Sequence, residues 1–219
     1  TQQGHVRSLL DKRCSPAREV IDTTTHANKL MLYENVPFYW DAWDLMPYHL
    51  EKGTELSQLA GCECTPTTIT EYGPLRASCT TKLKFESGEV DMNISLCADS
   101  PILEFSLGID WHENRKILKV EFPVQVIADS ATYEVQFGAV QRPTHGNTDH
   151  DAAKYEVCAQ RYADLSETGY GVALLNDSKY ECARIVCNFC DRLCFTDMVI
   201  RAADPHCAYR CCEHQKHRI

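Results

Sequence analysis

The stretch Tyr39-Trp40-Asp41-Ala42-Trp43-Asp44 concentrates two carboxylates and three aromatic rings in six positions. On a helix, Asp41 and Asp44 would share a face with Cβ atoms roughly 5–6 Å apart. That is near the roughly 5 Å separation at which two carboxyl groups cleave a glycosidic bond with retention, one as nucleophile and one as acid and base. Tyr39, Trp40 and Trp43 fit such chemistry, because the C–H faces of a sugar ring stack on aromatic planes while carboxylates accept hydrogen bonds from its hydroxyls. The plainer alternative is that the tryptophans pack beneath a loop and the aspartates cap it or face water. Residue types alone favour that alternative.

Two other groups carry ligand chemistry. His145, Asp149, His150 and Asp151 lie within PTHGNTDHD, but their spacing matches no closed metal motif, and a glycine-containing, solvated loop is the expectation. Towards the end of the sequence, Cys187, Cys190 and Cys194 are followed by His206, Cys207, Cys211 and Cys212. Two clusters of soft ligands about a dozen residues apart resemble zinc-site spacing, in which thiolates and imidazoles complete a tetrahedron. Cys187, Cys190, Cys194 and Cys207 are therefore candidate zinc ligands.

The whole chain narrows the field. Its 219 residues can bury a sizeable core. A formal charge of −9 without any Lys/Arg stripe disfavours nucleic acid and anionic membrane surfaces as partners. No apolar run approaches the roughly 20 residues of a membrane helix. Of the 13 cysteines, seven fall between Cys182 and Cys212 and the other six are scattered. That scatter argues against a secreted disulfide framework and for a reducing, cytoplasmic setting. The tripeptides Asn93-Ile94-Ser95 and Asn176-Asp177-Ser178 match glycosylation acceptors, a pattern loose enough to arise by chance.

The elements that must position these residues read as β. In EVDMNISL, Val90, Met92, Ile94 and Leu96 alternate with polar residues. Leu103, Phe105, Leu107, Ile109 and Trp111 repeat the rule, as do Leu118, Val120, Phe122, Val124 and Val126, then Tyr133, Val135 and Phe137. A two-residue period marks a half-buried strand, and consecutive strands joined by short polar turns predict an antiparallel meander with one solvated face. An all-β, mainly antiparallel sandwich follows. Residues 1–74 are expected to hold β segments and the loop with the YWDAWD motif, with 45–74 as loop and edge because of Pro47, Pro66, Pro74 and three glycines. Residues 75–180 are expected to form the sandwich, and residues 181–219 an irregular Cys/His-rich tail.

Four blocks in order, NVPFYWDAWDLMPYHLEKG (35–53), WHENRKILKVEFPVQV (111–126), ATYEVQFGAVQRPTH (131–145) and YADLSETGYGVALLNDSKY (162–180), resemble the C-terminal half of glycoside hydrolase family 38, the α-mannosidases, and within it the cytosolic branch. The resemblance ends near Tyr180, so the tail is expected to be unrelated to the family. It implies a retaining exo-glycosidase that removes α-linked mannose from oligosaccharides, with an aspartate nucleophile that also binds a divalent metal, zinc or cobalt. Those groups belong to the family's N-terminal barrel, so no catalytic residue is expected in this chain, and the missing catalytic domain becomes its expected partner. Alone, the chain is expected to be inert. The resemblance also moves the YWDAWD aspartates from a catalytic pair to the rim of a sugar site, with Trp40, Asp41, Trp43, Asp44 and Arg142 as candidate substrate-side residues. A free-standing carbohydrate-binding or interaction module is the alternative, and a zinc-binding tail is compatible with either.

Overall fold

Alternation of apolar and polar residues drives the chain into strands, and most of the strands assemble into two facing sheets, with two further two-stranded ribbons, Leu10–Asp11 with Arg18–Glu19 and Glu156–Cys158 with Glu181–Ala183. The computed structural model describes residues 1–39 and 45–176, and the backbone of strand segments at 181–183, 191–195 and 198–203. A short hairpin of β1 (Leu10–Asp11) and β2 (Arg18–Glu19) precedes β3 (Lys29–Glu34) and β4 (Gly53–Glu55). Between the last two lies a 3-10 turn, Pro47–Lys52. Four ten-residue strands follow, β5 (Glu63–Tyr72), β6 (Arg76–Phe85), β7 (Gly88–Cys97) and β8 (Ile102–Trp111). The chain continues through β9 (Lys116–Val124), β10 (Ser130–Val135) and β11 (Gly138–Pro143), and then the one-turn helix α1 (Asp149–Ala152). The strands β12 (Glu156–Cys158), β13 (Tyr162–Glu167) and β14 (Tyr170–Leu175) lead to β15 (Glu181–Ala183), β16 (Asp191–Phe195) and β17 (Met198–Ala203).

Nine strands form one antiparallel sheet in the order β11-β10-β13-β14-β17-β8-β7-β6-β5, and four form another in the order β16-β9-β3-β4. The all-β sandwich expected from the alternation is thus the observed fold. Phe105 of the large sheet and Phe122 of the small one meet edge to face with ring centroids 5.0 Å apart. Leu30, Val120 and Phe122 from one side and Leu83, Val90, Met92, Tyr133 and Leu165 from the other belong to the same buried cluster. A fully buried Phe of this kind contributes about 2–3 kcal/mol through apolar area removed from water.

Three features differ from the expectation. Residues 63–72, expected as loop and edge, are a full ten-residue strand, and it does occupy the edge of the large sheet. Its register against β6 shifts between Thr65 and Thr68, where Pro66 supplies no N–H for a ladder, which an edge tolerates and a central strand does not. The tail, expected to be irregular, contributes strands to both sheets: β16 pairs with β9, and β17 lies between β14 and β8. Without β17 those two neighbours would present free edges, an exposure that folds avoid. Lastly, β9 is not solvated on its polar face: Lys119 and Glu121 are buried along with Val120 and Phe122.

The stretches set apart at residues 74 and 180 share sheets. Strand β3 pairs with β9 along its whole length, with Leu30 opposite Val120 and Met31 opposite Lys119. No helix among the described residues is long and apolar enough to cross a membrane. Neither sequon is a surface-loop acceptor: Asn93 sits in mid-strand opposite Thr80 and Ser106, and buried Asn176 donates its amide to the Gln160 carbonyl at 3.2 Å.

Candidate functional site

Cross-strand partners project from the same face of a sheet, so the pairing of β3 with β9 puts Tyr33, Lys119 and Glu121 on the outer face of the small sheet, away from the apolar core. There they would meet water. Instead, the 3-10 turn Pro47–Lys52 lowers His49 onto them, and the chain entering β12 brings Tyr155 and Glu156. The result is a second, polar core. Lys119 Nζ contacts the Glu156 carboxylate and lies 2.9 Å from His49 Nε2, while Glu156 Oε1 is 3.4 Å from the same nitrogen. The Tyr33 hydroxyl donates to Glu121 Oε1 at 2.6 Å. Aromatic walls close the cluster: the Tyr33 ring lies edge-on to His49 at 5.5 Å, Tyr155 lies 6.1 Å away on another side, and the Lys119 ammonium sits 5.5 Å from the Tyr33 centroid.

Burial makes these contacts matter. His49 is 1 % exposed and Glu121 3 %, and an ionised group taken out of water at such sites must be paired and hydrogen-bonded. Lys119 pairs with both the Glu156 carboxylate and the His49 ring, so the cluster is a paired polar joint.

The joint and its neighbours also hold Val36 and Leu45, on either side of the YWDAWD segment in sequence. The Tyr48 hydroxyl donates to the Val36 carbonyl, and the Tyr155 hydroxyl donates to the Leu45 carbonyl. The Met46 carbonyl accepts from His49 twice, from ring Nδ1 at 2.7 Å and from the backbone N–H at 3.1 Å. Both ends of the segment are therefore tied to side chains of the joint or its immediate neighbours. Beside the first end, Phe38 and Tyr39 are each 77 % exposed, and Phe38 lies 6.5 Å from the Tyr48 ring.

Of the candidate residues named from the sequence, Trp40, Asp41, Trp43 and Asp44 lie outside the described residues. Arg142 is in β11, half-buried; its Nη1 donates to the Cys158 carbonyl at 2.9 Å and its guanidinium lies 5.1 Å from the Tyr133 ring centroid. Among the zinc candidates, Cys187, Cys190 and Cys207 lie outside the described residues, and the backbone of Cys194 is in β16 opposite Glu121. His145, His150 and Asp151 gather around α1, where the Thr148 hydroxyl caps the turn, accepting from the Asp151 N–H at 3.1 Å. The Thr148 hydroxyl also donates to the Asp151 carboxyl and holds it below the usual carboxylate range. Among the described residues no group of three or more His, Cys, Asp or Glu side chains could hold a metal ion. A divalent metal of the kind implied by the resemblance therefore finds no fitting donor set there.

His49, Lys119 and Glu156 were not foreseen. They lie 70 and 37 positions apart in sequence, and no local spacing links them. The one available signal was a Lys and a Glu within an otherwise apolar strand, LKVEFPV.

Comparisons with known proteins follow the same lines. The family described as "Glycosyl hydrolases family 38 C-terminal domain" matches residues 1–188. The chain is 44% identical over 178 residues to alpha-mannosidase 2C1 of Homo sapiens, covering 81% of this chain and 16% of that protein. It is 39% identical over 186 residues to alpha-mannosidase G of Dictyostelium discoideum, covering 81% of this chain and 16% of that protein. Against an alpha-mannosidase of Saccharomyces cerevisiae it is 33% identical over 192 residues, covering 81% and 17%. The chain thus spans about a sixth of the length of these relatives. Among solved structures, an alpha-mannosidase from Enterococcus faecalis V583 superposes with a TM-score of 0.75 at 11% identity, covering 99% of this chain and 29% of that one. At that identity the likeness establishes a shared fold.

Proposed function

Because the chain belongs to glycosyl hydrolase family 38 through its C-terminal domain, we propose that it serves as the β region of an α-mannosidase that removes α-linked mannose from oligosaccharides. The hydrolysis is retaining, and the nucleophile, the acid and any zinc or cobalt they work with belong to polypeptide outside these residues. The observation that carries the reading is the family match over residues 1–188. The geometry supports it in one respect: Val36 and Leu45, which flank the YWDAWD segment in sequence, are tied to a buried polar joint and its neighbours, as a surface that must keep its shape against another domain or a sugar requires.

In this reading Trp40, Asp41, Trp43 and Asp44 lie on the substrate side or at the contact with the catalytic domain. Arg142 belongs to the same rim; it spends one of its five N–H donors on Cys158 and can offer others to sugar hydroxyls. The protein works in the cytoplasm, a setting that suits the free thiols of Cys14, Cys62, Cys64 and Cys79.

The test is enzymatic. Purified 219-residue chain with an aryl α-mannoside and added zinc or cobalt should show no turnover, whereas the longer polypeptide that carries it should be active. Turnover by the chain alone would overturn the proposal.

A second reading, a free-standing carbohydrate-binding module, draws on the exposed rings of Phe38 and Tyr39 beside Tyr48, which could stack on a sugar. Titration of the chain with mannose oligosaccharides separates the two. Saturable binding that Trp43→Ala abolishes supports the module, and absence of binding supports the enzyme part.

A further inference from the structure

Residues 1–6 form a strap that joins the two sheets. Val6 and Ala27 exchange backbone hydrogen bonds of 2.9 Å, which ties the strap to the chain entering β3 of the small sheet. On the large sheet, Thr67 lies in the register shift of β5 against β6. Its N–H donates instead to the Gln2 carbonyl at 3.0 Å, and its hydroxyl donates to the Thr1 carbonyl at 2.9 Å. Gly4 is buried in the strap: its carbonyl accepts from the Asn28 amide at 3.0 Å, and a Cβ there would lie 2.7 Å from Met92 Cε.

His5 carries the titratable side chain of this strap. The side chain is 8% exposed, and Nε2 lies 3.2 Å from Glu55 Oε1 at the end of β4. The Glu55 oxygens are shared, because they also accept from the Ser57 hydroxyl and, at 3.3 Å, from the Gln58 amide. The other titratable and charged groups that face the ring among the described residues are cationic or become so: His26, with its ring centroid 5.9 Å away, Lys29 of β3, and the Thr1 amino group. Burial, the largest influence, pushes the His5 imidazole below the ordinary histidine value; Glu55 opposes this, and His26, Lys29 and the amino group add to it.

We propose that His5 is a pH-sensitive latch: the neutral ring lets the strap seat on both sheets, and its protonation in mild acid releases residues 1–6 from Ala27 and Thr67. The sign follows from linkage. A released strap takes up the proton in the ordinary histidine range and a seated one less readily, so seating is strongest above that range and weakens as pH falls through it towards the lowered value. Release would uncover Asn28 and Thr81, which are 1% and 3% exposed in the seated form. The latch goes beyond the enzymatic reading and does not depend on it.

The test is amide hydrogen exchange read by mass spectrometry on the full-length protein, expressed as protection factors so that the intrinsic pH dependence of exchange cancels. Between about pH 7.5 and about pH 5, protection of a peptide covering residues 2–8 should fall by about fivefold, while a peptide within β9 stays within about twofold. His5→Gln keeps a side-chain N–H near Glu55 but cannot gain a proton, and should hold its protection within about twofold over the same range. Undiminished wild-type protection in acid would overturn the inference, as would a loss that His5→Gln retains, the result expected if His26 were the sensor. Exchange of the imidazole C2 hydrogen of His5 needs no variant and serves if His5→Gln does not seat the strap at neutral pH. A His5 midpoint below that of the unfolded chain supports the latch, and one at or above it overturns it.

Discussion

Replacing Lys119 with Met tests whether the polar joint is a real energetic unit. The side chain is 7% exposed and its carboxylate partner Glu156 15%, so neither can turn fully to water when the other is lost. Methionine matches the length of the lysine stem and keeps its packing against Tyr33, so the perturbation is close to a pure loss of charge and donor. It leaves a mostly buried carboxylate and deprives His49 Nε2 of its donor. Breaking one side of a buried pair costs roughly 3–5 kcal/mol, and partial solvent access at Glu156 puts this case near about 3 kcal/mol. For a chain of this size, that lowers Tm by about 6–12 °C. Equilibrium urea unfolding at neutral pH, followed by two independent probes to check for a single transition, supplies the number. Lys119→Met combined with Glu156→Gln should recover a substantial part of the loss, giving a coupling energy of about 2 kcal/mol. A single variant within about 0.5 kcal/mol of wild type, or strictly additive effects in the double variant, would refute the assignment of the joint as a coupled unit.

Three further outcomes can be checked on the same chain. The Arg13 guanidinium, opposed by burial, holds the Asp11 carboxyl below its ordinary value through bonds of 2.9 and 2.7 Å; the folded state therefore binds that proton less readily than the unfolded chain, and the stabilisation is present above the ordinary aspartate range and fades as pH falls through the lowered value. Asp11→Asn should accordingly cost about 1 kcal/mol at neutral pH, discounted because Arg13 is half-exposed, and almost nothing in acid, as read from urea midpoints across pH. Asp164 has the opposite sign: burial pushes its carboxyl up despite the Ser166 hydroxyl, stability falls as pH rises through the raised value, and Asp164→Asn should gain stability at neutral pH relative to acid in the same titration. A Cβ at Gly88 would lie 2.3 Å from the Asp110 carbonyl and 2.8 Å from the Phe85 ring, so Gly88→Ala should lower stability by about 1–3 kcal/mol in a thermal melt, whereas Gly138→Ala, with nothing within 4 Å, should be close to neutral.

The alternation of residues identified the faces but not what covers them. Leu118, Val120, Phe122, Val124 and Val126 were assigned to one buried face, and all of them are buried. By the same alternation the intervening Lys119 and Glu121 fall on the face expected to be solvated, yet they are buried as well; a two-residue period carries no information about elements that arrive from elsewhere in the chain. The cover comes from Pro47–Lys52 and from Tyr155 and Glu156, which local pattern cannot relate to β9. The reverse error occurs in β8, where Ile109 shares the face of buried Phe105 yet is 37% exposed. The small sheet has four strands against nine and cannot cover every apolar position on its larger partner. Residues 63–72 were obscured by Pro66, whose disruption an edge strand absorbs.

Arg142 and Leu45, the residue that follows the YWDAWD segment, share a neighbour that sequence spacing could not show. Strand β12 and the residue before it carry three attachments in four positions: Tyr155 to Leu45, Glu156 to Lys119, and the Cys158 carbonyl to Arg142. One contact reaches the Leu45 carbonyl and another the Arg142 guanidinium. The strip is itself held by pairing with β15, Val157 opposite Cys182. A shift of this short strand would therefore move Leu45 and Arg142 together, whereas independent loops would let them drift apart. Burying a lysine and a glutamate on an outer sheet face is a costly way to obtain stability alone, since apolar side chains of similar volume would serve at least as well. A fixed distance between two parts of one surface is what those buried charges supply in return.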